Sequence, residues 1–77
     1  MNESLKRITI NPRQLGGRPC IRGIRITAAN ILRQLAAGHS RERILEAYPE
    51  LETADIDACM QYAALLADDR ELMLEPA

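Results

Sequence analysis

Seventy-seven residues are enough for one domain, and a domain this small buries only roughly 60% of the surface its unfolded chain exposes, so self-association is a natural source of extra stability. The chain has no Phe or Trp and only two Tyr, which leaves Ile, Leu, Ala and Met to build the core and favours small helices over a large sandwich. Its net charge of −1 conceals a division, because residues 1–43 hold nine bases against two acids while residues 44–77 hold one base against nine acids; such a split points to a polyanionic partner or to charged docking, or else the halves neutralise each other inside one fold or across a dimer.

In chain order, residues 1–5 are expected to fray. Arg7-Ile8-Thr9-Ile10-Asn11 alternates polar with β-branched apolar side chains, the period of a half-buried strand, and Asn11-Pro12 stops it. The start, MNESLKRITIN, lacks the apolar stretch of a secretory signal, and no run approaches the roughly 20 apolar residues of a membrane span, which predicts a cytoplasmic protein. Gly16-Gly17-Arg18-Pro19-Cys20-Ile21-Arg22-Gly23-Ile24-Arg25-Ile26 concentrates turn-forming residues and arginines. Gly16-Gly17 lets the chain fold back so that residues near 20–26 lie beside 7–10 as a twisted β-ribbon. A ribbon of two strands needs a helix or a second chain against its apolar face.

Thr27 is the expected N-cap of a first helix, in which Ala28, Ile31, Leu32, Leu35 and Ala36 repeat at i, i+3, i+4, i+7 and i+8. Gly38 ends that helix, His39 occupies the turn, and Ser40 caps a short second helix with Ile44, Leu45 and Tyr48 on its apolar edge. Pro49 prevents continuation. A third helix begins at Thr53, with Asp55 and Asp57 in its first turn as solvated, cap-forming acids. Ile56, Cys59, Met60, Ala63 and Leu66 form one apolar stripe on it; Ala58, Tyr62 and Leu65 form another, which predicts burial on two sides and a homodimer. The tail from Asp68 to Ala77, with Leu72, Met73 and Leu74 between acids, is expected either to pad the domain or to dock elsewhere.

Catalytic chemistry finds little support. His39 is the lone histidine and reads as a solvated turn residue, and Gly16-Gly17-Arg18 lacks the layout of a phosphate loop. Cys20 and Cys59 have neither metal spacing nor a disulfide framework, and are expected to be reduced, semi-buried thiols. We therefore expect no enzyme, no metal and no cofactor. Nucleic-acid binding is better supported, since Arg18, Arg22 and Arg25 fall on the ribbon and Arg33, Arg41 and Arg43 on the first two helices, where guanidinium forks suit phosphates and guanine. An objection is that Asp55 and Asp57 open the third helix, the recognition helix of a trihelical unit, and phosphates repel them.

Ile10, Pro12, Gly17-Arg18-Pro19, Ile21-Arg22-Gly23, Arg25-Ile26, Gly38, Tyr48-Pro49, Asp55-Ile56 and Tyr62-Ala63, in this order and spacing, resemble domain-of-unknown-function family 433. The resemblance runs from about Ile8 to Ala67, with Ile24 standing where the family usually has threonine. It implies a mainly α fold: a homeodomain-like, trihelical helix-turn-helix bundle (helices about 27–67) preceded by the short N-terminal β-ribbon (about 7–26), in a single domain spanning 1–77. It further implies an antitoxin of a type II toxin-antitoxin pair that binds a PIN-like ribonuclease toxin and, through operator sequences, double-stranded DNA. On that expectation the arginines above meet DNA, and Tyr62, Leu65, Leu72, Met73 and Leu74 meet the partner protein. The alternative expectation is a non-catalytic homo-oligomeric interaction protein without DNA binding.

Overall fold

Three helices follow a small ribbon in the computed structural model of the chain, which describes residues 3–69. The order is a 3₁₀ turn at Glu3–Arg7, strands β1 (Ile8–Thr9) and β2 (Cys20–Ile21), and helices α1 (Ala28–Ala36), α2 (Arg41–Ala47) and α3 (Thr53–Asp69). The mainly helical architecture with an antiparallel ribbon is the expected one. Residues 3–5, expected to fray, instead belong to the 3₁₀ turn, which packs along α3 and carries Arg7 into the ion cluster described below.

The ribbon is shorter than the alternating pattern predicts. β1 and β2 pair through Ile8 with Ile21 and Thr9 with Cys20, and Ile10 is already 65% exposed. Two features bound it: Ile10 falls opposite Pro19, which has no N–H to donate, and at the other end the chain reverses a second time directly after β2. Arg22 and Gly23 both have positive φ, 46° and 71°, and the Ile24 amide donates to the Ile21 carbonyl at 2.7 Å, the arrangement of a type I′ turn. The chain then returns along the other side of β2, where Cys20 bridges Thr27 and the Ile21 amide donates to Ile26 at 3.0 Å. β2 is thus flanked on both sides, and Thr9 supports the turn by accepting the Gly23 amide at 2.8 Å.

The helix ends follow the local chemistry closely. Thr27 Oγ1 accepts the Asn30 amide and Ser40 Oγ the Arg43 amide, at 3.0 and 3.1 Å. At the end of α1 the Gly38 amide donates to Leu35 and the His39 amide to Gln34, both at 3.0 Å, a Schellman motif that places Gly38 at φ 90°. A polar bracket ties α1 to the end of α2: the Asn30 and Gln34 amides donate to the Tyr48 hydroxyl at 3.1 and 3.2 Å.

Ile21, Ile26, Ala28, Ile31, Ile44, Leu51, Ile56 and Cys59 form one buried cluster, with Leu32, Leu35, Tyr48 and Tyr62 packed around it. On α3 the two-stripe expectation is corrected. Ile56, Ala58 and Cys59, taken from both stripes, are fully buried, whereas Met60, Leu65 and Leu66, also from both, are exposed. Met60 is exposed because it lies about 100° round the helix from Cys59, away from the core, whereas Leu66 shares the Cys59 face and is exposed because it lies farther along α3 than the half-buried Tyr62 and Ala63.

Candidate nucleic-acid interface

The six arginines singled out by sequence separate into two groups. Arg22 is engaged inside the molecule: its Nε and Nη2 donate side-on to Asp55 Oδ1 and Oδ2 at 3.0 and 2.9 Å, and Nη2 also donates to the Glu50 carbonyl at 2.8 Å. Arg41 pairs with Asp57 at 2.8 Å. Arg18, Arg25, Arg33 and Arg43 are exposed and form no side-chain ion pair among the described residues. Arg18 and Arg25 stand on the loops flanking β2, while Arg33 and Arg43 project from α1 and α2. Of the residues expected to meet a protein partner, Tyr62 is half-buried against the core and Leu65 is exposed; Leu72, Met73 and Leu74 lie outside the described residues.

Sequence reasoning missed Asp55. Expected as a solvated cap, it does cap α3, but it has no exposed surface and receives four donors: Arg7 Nη1 at 3.0 Å, Arg22 through two nitrogens, and the Glu52 backbone amide at 2.8 Å. The amide contact is half of a capping box, with the N3 acid reaching back to the N-cap N–H. Arg7 also reaches Glu52 at 2.7 Å. Burial pushes the Asp55 carboxyl up, but the bonds from Arg22, the Glu52 amide and Arg7 outweigh it and hold its pKa below the ordinary carboxylate value. The only available signal was the recurrence of Arg near the ribbon and of Asp at the start of α3; nothing local pairs residues 33 and 48 positions apart.

This cluster alters the electrostatics of the start of α3. Asp55 is matched by Arg7 and Arg22, and Asp57 by Arg41, so the acids that repel phosphate in the sequence reading are compensated within the domain. The same pairs remove Arg22 and Arg41 from the set that can grip a polyanion. Arg22 becomes a structural residue, held in a left-handed conformation costly for a side chain of its type because its guanidinium is anchored at α3.

Among the described residues no group of His, Cys, Asp or Glu is placed to hold a metal ion, and no helix is long and apolar enough to cross a membrane. Both thiols are free and buried. Burial, reinforced by the nearby Asp55 charge, pushes the Cys59 thiol up to about 11, and the Cys20 thiol donates to the Arg18 carbonyl at 3.3 Å.

Comparison with known proteins supplies the context. A family model described as "Protein of unknown function (DUF433)" matches residues 8–63. The "Uncharacterized protein y4eO" of Sinorhizobium fredii (strain NBRC 101917 / NGR234) is 43% identical over 56 residues, which cover 73% of this chain and 25% of that protein. A crystal structure of a DUF433 member protein from Anabaena variabilis ATCC 29413 aligns with a TM-score of 0.75 at 27% identity, covering 82% of this chain and 62% of that one. The chain therefore spans a quarter of the first relative's length and under two-thirds of the second's.

Proposed function

This chain belongs to the DUF433 family of proteins of unknown function, and on that premise we propose that it is a non-catalytic, antitoxin-like module that grips double-stranded DNA with one part of its surface and a nuclease-type protein with another. The observation that carries the reading is that, among the described residues, several arginines of the first half stay exposed and unpaired after folding. Arg18, Arg25, Arg33 and Arg43 remain free to approach phosphates, while the acids opening α3 are balanced from within. Asn30 and Gln34 flank Arg33 on α1, but their amides are directed at Tyr48, so this reading assigns the arginines to phosphate contacts and not to base readout. The protein partner, a PIN-like ribonuclease toxin, comes from the family resemblance and meets the acidic, apolar second half.

The test is a titration of the protein with its own upstream DNA at 50 and 200 mM salt. Binding that weakens steeply with salt, and weakens again in Arg18→Ala/Arg25→Ala, supports the reading; salt-indifferent binding, or none at either concentration, sinks its DNA half. Copurification with the product of the adjacent reading frame tests the other half.

A further inference from the structure

The segment joining β1 to β2 holds a leucine in a conformation that the core does not explain. Leu15, Gly16 and Gly17 take positive φ in succession, at 48°, 67° and 79°. Glycine enters that region freely, whereas a leucine there is strained. The Leu15 side chain is 36% exposed and belongs neither to the buried cluster nor to the side chains packed around it. Core packing therefore does not offset the strain, and a residue held in this way is a candidate for binding. The turn itself is well fixed. The Gln14 and Gly17 amides donate to the Asn11 and Gln14 carbonyls at 2.9 and 3.0 Å, and Gln14 Nε2 donates to the Gly23 carbonyl at 2.7 Å, tying the turn to the segment that leads to Arg25.

We propose that this turn, and not α3, enters a groove of double-stranded DNA, with Leu15 as its apolar tip. Its role rests on the nucleic-acid reading above and names the element that carries it. Charge selects the occupant. Leu15 stands between Arg13 and Arg18, which are exposed and without an ion pair among the described residues, and residues 4–41 hold no Asp or Glu. The acid nearest by contact is Glu50, whose backbone carbonyl accepts Arg22 beside Gly23. An apolar side chain set among arginines on a protruding turn suits a groove, where the cations face phosphates and the apolar group meets sugars and bases. The first turns of α3 offer the opposite surface. Asp55, Ile56, Ala58 and Cys59 are buried there, and the outward positions include Asp57.

Fluorescence anisotropy of the full chain with a labelled duplex of its own upstream sequence, over a series of salt concentrations, reads the result. Leu15→Gly, which relieves the strained φ and retains helical circular dichroism, lowers affinity about tenfold at fixed salt by losing one apolar contact. The dependence of affinity on salt keeps its slope, since leucine displaces no counterion. Leu15→Met, apolar and of similar volume, keeps the affinity. Gln61→Ala, at an exposed position of α3, also leaves it unchanged. Binding indifferent to Leu15→Gly, or weakened by Gln61→Ala instead, overturns the proposal while the nucleic-acid reading stands. A loss of affinity with a flattened slope overturns it too, because Leu15 then only holds the arginines in place. So does a Leu15→Gly chain that binds DNA normally but no longer copurifies with the product of the adjacent reading frame, which assigns the turn to a protein. A wild-type chain that binds no DNA removes both readings together. Should Leu15→Gly fail to fold, Leu15→Ala decides.

Discussion

A carboxylate with no exposed surface is tolerable only if its oxygens are filled, and Asp55 meets that condition through Arg7, Arg22 and the Glu52 amide. Asp55→Ala therefore costs about 3 kcal/mol of unfolding free energy by urea titration, since it removes the capping contact and leaves two guanidinium groups facing an empty site. The pH dependence follows from the direction of the shift. The folded pKa lies below the unfolded one, so the stabilisation is full above the unfolded value of about 4 and is lost as pH falls through the folded value. Between pH 5 and pH 2 the wild-type urea midpoint should fall more steeply than that of Asp55→Asn; parallel curves would show that the acid sensitivity arises elsewhere. For Cys59 the sign is opposite: a thiol raised to about 11 keeps its proton in the fold and is unreactive at neutral pH. Neither cysteine should react with a maleimide until denaturant is added, as followed by mass spectrometry. Two free thiols were legible from the number and spacing of the cysteines, although they are fully buried where half-burial was expected. The buried aspartate was not, because a carboxylate at the third position of a helix usually faces water and its partners here come from distant segments.

The helix boundaries were the most legible feature of the chain, and for a local reason: Thr27, Gly38 and Ser40 act within four or five residues of themselves. Gly38 allows the cause to be isolated. A Cβ built there meets nothing within 4 Å, so substitution costs conformation and not space. Gly38→Ala should lower stability by about 1 kcal/mol through the left-handed φ alone, with unchanged oligomeric state; a loss several times larger would mean that the α1–α2 turn is packed against something else. The ribbon was less legible. The alternation over Arg7 to Asn11 predicts a longer first strand, but Pro19 opposite Ile10 and the turn at Arg22-Gly23 hold each strand to two residues. A non-glycine residue at positive φ gives no warning in a single sequence. What holds Arg22 there is a tertiary contact: its side chain is anchored on α3 and its amide donates to the Arg7 carbonyl at 2.7 Å.

On the scale of the whole molecule the charge division acquires a structure. Part of it is internal, since arginines of the first half reach across to the start of α3 and join the ribbon to the helices. The remainder is exposed: Arg18 and Arg25 on the loops, Arg33 on α1, Arg43 on α2 beside exposed Glu42 and Glu46, and Asp68 and Asp69 on α3. If the four free arginines each displace a counterion from DNA, the logarithm of affinity should fall with the logarithm of salt with a slope near −3 to −4, about 0.9 per contact. Each single Arg→Ala among them should then flatten the slope by about one unit, while Arg41→Ala leaves it unchanged. A slope that responds to Arg41 and not to Arg18, Arg25, Arg33 or Arg43 would place the contact on the wrong set.

The sequence alone determined what depends on near neighbours or on sums: three helices and their caps, the reversal that makes a ribbon, a core without Phe or Trp, and the segregation of basic from acidic residues. Only the tertiary structure decided which charges remain available, because ion pairing depends on distances between segments tens of residues apart. It was likewise the finite size of the domain body, a property no single segment carries, that buried Ile56, Ala58 and Cys59 and left Leu65 and Leu66 uncovered on the same helix.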